Sequence, residues 1–144
     1  MIENKINLKF EFKFKKYAAY ESDDQNIYNA LKKSTDSFLY NEEFTKIFIL
    51  AMALGYAKGC PKPLKTPNRN NIPTSVFTVD EKWMMIALYM ATKNKKLESL
   101  YEVDEILTNA EEYANGGLTH LWLMYKNSKN PVEDLEEEFR MYLE

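Results

Sequence analysis

The sequence predicts a mainly α-helical fold, a single-domain helical bundle with an N-terminal β-strand and a Pro-rich basic loop. Three observations predict it. Residues 6–14, INLKFEFKF, alternate with period two; five later segments read as helices bounded by capping residues; and the stretch GCPKPLKTPNRNNIP holds four prolines. A chain of 144 residues buries a real core without metal or disulfide staples.

In the strand, Ile6, Leu8, Phe10, Phe12 and Phe14 point one way and Asn7, Lys9, Glu11 and Lys13 the other. Its open edge requires a partner, either TSVFTV (74–79) or the same strand of a second subunit. The five-residue apolar stripe therefore marks a dimer or partner interface formed by strand addition. This arm, residues 1–16, leads into a helical core over 22–127 and an acidic helix over 131–144, all within one domain.

Ser22 or Asp23 is placed to cap a helix reaching about Lys33, with Ile27, Tyr28 and Leu31 on one face. Asn41 caps the next, whose first turn carries Glu42 and Glu43, where the helix dipole favours negative charge. Phe44 to Leu54 is almost wholly apolar, so this helix is the buried centre, and Gly59 stops it. The prolines then exclude regular structure, leaving an ordered or mobile loop. Asp80 caps DEKWMMIALYMATKN, in which Trp83, Ile86, Ala87 and Met90 share a face. Asp104 to Tyr125 reads as helix with Gly116 and Gly117 inside it, and Pro131 suits the first turn of the last helix.

Composition removes several function classes. One cysteine, Cys60, and one histidine, His120, exclude an intramolecular disulfide and any Cys/His zinc set. No apolar run approaches the length of a bilayer span, and MIENKINLKF is too charged for a signal peptide, so a cytoplasmic setting is expected. The net charge of −3 is unevenly placed: residues 1–72 hold 12 Lys/Arg against 8 Asp/Glu, and residues 73–144 hold 7 against 14. Between Phe44 and Val79 stand Lys46, Lys58, Lys62, Lys65 and Arg69 without one acid, whereas PVEDLEEEF is strongly acidic. A basic patch opposed by an acidic face follows.

The chain lacks a GxxxxGK[ST] phosphate loop, a GxSxG elbow and an HExxH pair. Cys60 and His120 would need spatial proximity to act together, and His120 falls among core-like Leu118, Leu121 and Trp122. Glu111 and Glu112 are adjacent, so at most one is expected in any shared site, and a solvated helix face is the simpler placement. No catalytic residue, metal or cofactor is assigned. Lys58, Lys62, Lys65 and Arg69, interleaved with Asn68, Asn70 and Asn71, have instead the make-up of a phosphate-contacting surface, and Lys5, Lys9, Lys13, Lys15 and Lys16 add bases at the N-terminal strand, where a ribbon of paired strands would enter a major groove.

At EEYANGGL a resemblance enters. The order of AMALGYAKGCPKPL, a loop, SVF, an apolar helix and then EEYANGGL resembles the DNA phosphorothioation-associated protein 4 family, also called Dnd system-associated protein 4. The likeness covers roughly Phe44 to Tyr125, and Glu112, Tyr113, Ala114, Asn115, Gly116, Gly117 and Leu118 carry its most specific part. A looser likeness of layout extends to DndE, whose implied role is binding DNA at nicks as an oligomer. The chain departs from both by its alternating strand and its acidic tail. The resemblance implies an accessory protein of an anti-phage system that replaces a phosphate oxygen of DNA with sulfur, working with other defence proteins, and it supplies no catalytic residue. Purely protein-binding adaptor work without DNA contact stays open beside direct contact.

The motif also poses a physical question, because each glycine inside a helix costs about 1 kcal/mol relative to alanine. Either another backbone approaches Gly116 and Gly117 too closely for a Cβ, with Tyr113 at the contact and Asn115 bonded to a loop backbone, or two helices meet there with a glycine cap.

Overall fold

The apolar run after Glu43 folds as α2, Phe44–Lys58, and the glycine-containing stretch as one unbroken helix, α4, Val103–Asn127. The computed structural model describes residues 14–96 and 102–143, without the side chains of 68–70, 142 and 143. Around the α2–α4 pair stand β1 (Tyr17–Glu21), α1 (Gln25–Lys33), β2 (Pro67–Pro73), α3 (Val79–Lys93) and α5 (Pro131–Leu143). The fold is mainly α, with a small two-stranded sheet near its N-terminal end. None of the helices is long and apolar enough to cross a membrane, among the described residues.

Burial explains the arrangement. Ile47, Phe48 and Leu54 of α2, Ile106, Leu107, Leu118 and Leu121 of α4, Met85 and Ile86 of α3, and Tyr28 and Leu31 of α1 are fully enclosed. Each such side chain contributes about 1.5–3 kcal/mol when taken out of water. Phe48 meets Phe77 edge to face at 5.4 Å between ring centres, and Tyr28 stacks on Tyr20 of β1 at 4.3 Å, which ties the sheet to the helices.

Helix ends follow their local chemistry, with corrections to the expected caps. Gly59 takes a left-handed φ of 64°, letting its amide and that of Cys60 reach the Tyr56 and Gly55 carbonyls and close α2. Asn41 does not cap α2; its own φ is 65°, it turns the chain after α1, and Glu43 is the N-cap. Asp80 is likewise displaced by Thr78, whose Oγ1 accepts the Glu81 amide at 3.1 Å while Glu81 Oε1 accepts the Thr78 amide at 2.8 Å. That reciprocal pair satisfies two orphan donors, which Asp80 alone would not. Ser22 and Asp23 lie in a 3-10 turn, and Asp24 precedes α1. On α3 the inward face is Met85, Ile86, Leu88 and Tyr89; Trp83 and Ala87 are exposed, contrary to the expected stripe.

The sheet overturns two expectations. Part of the Pro-rich segment is regular after all: β2 pairs antiparallel with β1, Tyr17 opposite Pro73 and Glu21 opposite Pro67. Both prolines occupy strand ends, where a missing amide removes least from the ladder. TSVFTV is no strand; residues 74–76 form a 3-10 turn and Val79 opens α3. Of the alternating arm, Phe14 is half-buried against the core, while Ile6, Leu8, Phe10 and Phe12 lie outside the described residues.

Candidate functional site

The octet Glu111–Leu118 sits on α4 where three other pieces of chain converge. The first is α2. An ideal Cβ on Gly117 would overlap the Ala51 carbonyl and stand 2.7 Å from the Gly55 amide nitrogen; one on Gly55 would stand 3.1 Å from the Gly117 nitrogen. At Gly116 the intruding group is the Cys60 carbonyl, just past the end of α2. Backbone meets backbone along this seam, and the side chains of alanine or larger have no room. Tyr113 closes its flank, its ring edge to face with Tyr56 at 6.1 Å.

The second piece is a strap, residues 60–66, between α2 and β2. Its backbone is anchored from both sides. The Lys62 amide donates to the Glu112 carbonyl at 2.9 Å, and Asn115 Nδ2 donates to the Lys62 carbonyl at 2.9 Å and the Pro63 carbonyl at 3.5 Å. On the other flank Glu21 accepts the Lys65 amide at 2.8 Å and the Thr66 amide at 2.6 Å, and Ser22 donates to the Thr66 carbonyl at 2.8 Å. These bonds on both flanks hold the segment as an ordered strap.

The third piece is β1. A register shift between Ala18 and Tyr20 leaves Ala19 out of the ladder, and the Ala19 amide donates to Glu111 Oε2 at 2.6 Å. Glu111 is only 5% exposed, so the expected solvated placement is corrected. Burial raises its carboxyl above the ordinary value, against the opposing pull of the Ala19 amide and of Lys15, whose ammonium is 4.0 Å away. Glu111 and Glu112, expected not to share a site, both line a cleft of about 510 Å³ with Lys15, Lys16, Tyr17, Pro63, Leu64 and Pro67.

The four bases read as phosphate contacts fare differently. Lys58 forms an ion pair with Glu138 of α5. Lys62 and Lys65 are exposed on the strap, with no ion pair within 4 Å among the described residues. Arg69 lies in β2, its side chain outside those described. Lys62 also acts on Asp24, whose carboxyl burial pushes up to about 6 while the lysine draws it back. Glu21 and Asp24, both tied to this strap, escaped the sequence reading because partners so far along the chain, 44 positions for Glu21 and Lys65, leave no local spacing.

Nucleophilic chemistry finds little here. Burial pushes the Cys60 thiol up, whereas an activated nucleophile needs the opposite shift. Among the described residues no three of His, Cys, Asp and Glu are placed to hold a metal ion. The arrangement can present exposed cations on an anchored backbone and a cleft with apolar residues in its lining.

No curated protein and no solved structure matches the chain. A family model does, over residues 19–141, from β1 through α5 and including every anchor of the strap. On that match the chain belongs to the family of DNA sulphur modification system-associated protein 4.

Proposed function

We propose that this chain is a non-enzymatic accessory of the DNA sulphur modification system that touches DNA phosphates through its strap and docks a partner protein. One observation carries the reading: Lys62 and Lys65 stand exposed on a backbone held by Asn115, Glu112 and Glu21. A cation on a fixed frame loses less conformational freedom when it meets a phosphate. The motif residues then have a purpose in positioning, and Arg69 extends the basic run along β2. The acidic helix α5 and the Phe-rich arm are the docking elements, and the work is done in the cytoplasm beside other proteins of the system.

Fluorescence anisotropy with a duplex across a salt series tests it. Affinity should fall steeply with salt, as counterion release requires, and be lost in a Lys62→Ala, Lys65→Ala, Arg69→Ala variant. Absence of binding at low salt would discard the phosphate contact.

A second reading, a protein adaptor without DNA contact, draws on α5. Glu138 takes Lys58 from the basic set, and Glu133, Glu136 and Glu137 remain exposed. Binding to a neighbouring protein of the system that persists at high salt, together with a flat anisotropy trace, would favour it.

A further inference from the structure

The cleft of about 510 Å³ beside the strap has an uneven lining: Lys15 and Lys16, an apolar wall of Pro63, Leu64 and Pro67, and a floor containing Glu111 and Glu112. From this lining we infer that the cleft binds a phosphorothioate diester, the wall receiving the sulfur and Lys16 balancing the charge. The inference rests on the DNA-contact reading above.

The strap's own chemistry points this way. A site built for phosphate oxygens offers backbone amides, and this strap has spent all of its own except that of Leu64. Lys62 gives its amide to Glu112, Lys65 and Thr66 give theirs to Glu21, and Pro61, Pro63 and Pro67 have none. Beside that one amide, the strap offers the cleft the carbon surface of Pro63 and Leu64. A phosphate oxygen pressed against carbon loses hydrogen bonds to water without replacement. Sulfur in the same place keeps the negative charge of the diester but is larger, softer and more weakly hydrated, so it loses far less. The floor restricts where the diester sits. Glu111 already has the Ala19 amide at 2.6 Å and Lys15 at 4.0 Å, so its charge is compensated, whereas Glu112 repels an anion and holds it to the lysine and proline side.

The test is anisotropy of the full chain, at one salt concentration, with three otherwise identical duplexes: unmodified, and carrying one phosphorothioate of either configuration at phosphorus. One configuration should bind about tenfold more tightly than the unmodified duplex, the discrimination typical of a small apolar contact. Leu64→Asn should abolish that preference, so that the three duplexes bind alike. Lys16→Gln, at an exposed position where folding is not at stake, should weaken binding to all three. Equal affinity for the three duplexes overturns the sulfur site and leaves the DNA reading standing. A preference that survives Leu64→Asn also overturns it, by moving the sulfur contact elsewhere. No binding to any duplex overturns both readings together.

Discussion

Gly55 of α2 and Gly117 of α4 lie backbone against backbone: a Cβ on Gly117 would stand 2.7 Å from the Gly55 nitrogen and one on Gly55 3.1 Å from the Gly117 nitrogen, the first also striking the Ala51 carbonyl and the second that of Tyr113. Helix propensity and packing therefore pull in opposite directions at Gly117. Propensity alone would make Gly117→Ala stabilising by about 1 kcal/mol. The Ala51 carbonyl that the new Cβ would strike is helical backbone and cannot swing aside, so overpacking wins, and we expect a loss of about 3 kcal/mol. Gly59→Ala supplies the contrast. Nothing stands within 4 Å of its Cβ, and only the left-handed φ of 64° is strained, a cost of about 1–2 kcal/mol. Urea denaturation of both variants decides, and Gly117→Ala at or above wild-type stability would mean that the seam is open.

The seam shows what kind of information a sequence carries. Helices α1 to α5 were legible because apolar content and breakers are local, whereas the glycine pair in its helical context left open whether another backbone was near or a glycine cap joined two helices. The sheet was not legible. YAAYE and PNRNNIP lack the alternation of a half-buried strand, and each becomes one only because the other pairs with it. Thr78 and Asp80 competed for one cap on nearly equal local terms, and the Glu81 side chain settled it. The same limit applies to the site: four bases close in sequence were visible, but nothing near Lys58 announced that α5 would bring Glu138 to it.

Glu111 carries a second prediction, because its carboxylate replaces the missing ladder bond of Ala19. Glu111→Gln keeps an acceptor and removes a charge that burial already disfavours, so stability should change by less than about 1 kcal/mol. Glu111→Ala orphans the Ala19 amide and should lose about 2 kcal/mol. Denaturation at neutral pH separates them, and a glutamine variant weaker than the alanine one would show that the charge itself matters.

Asp24 predicts a pH dependence. Burial raises its carboxyl from 3.8 to about 6, with Glu21 and Asp23 adding to the rise and Lys62 opposing it. The folded chain thus holds this proton more tightly than the unfolded chain, and stability from this site falls as pH climbs through the interval between the two values. Asp24→Asn takes up no proton, so it should flatten that fall and be the more stable protein at about pH 7.5, by about 1 kcal/mol once solvent screening of this half-exposed position is allowed for. Thermal melts at about pH 4.5 and about pH 7.5 measure the difference. A wild-type melting temperature that rises across the interval faster than that of the variant would reverse the sign and refute the assignment.

The strap and α2 lysines divide by their partners, and salt dependence can read the division. Lys62 and Lys65 are exposed and outside any ion pair among the described residues, whereas Lys58 is held by Glu138 of α5. If each strap lysine neutralises one phosphate, a Lys62→Ala, Lys65→Ala variant lowers the slope of log affinity against log salt by about 2. Lys58→Ala should leave the slope alone and reduce stability by less than about 1 kcal/mol, the usual range for a partly exposed pair. The informative failure is a Lys58→Ala variant that lowers the slope as much as one strap lysine does. Glu138 would then have to give up Lys58 when DNA arrives, and α5 would have to be an element that moves on binding, in place of a fixed docking helix.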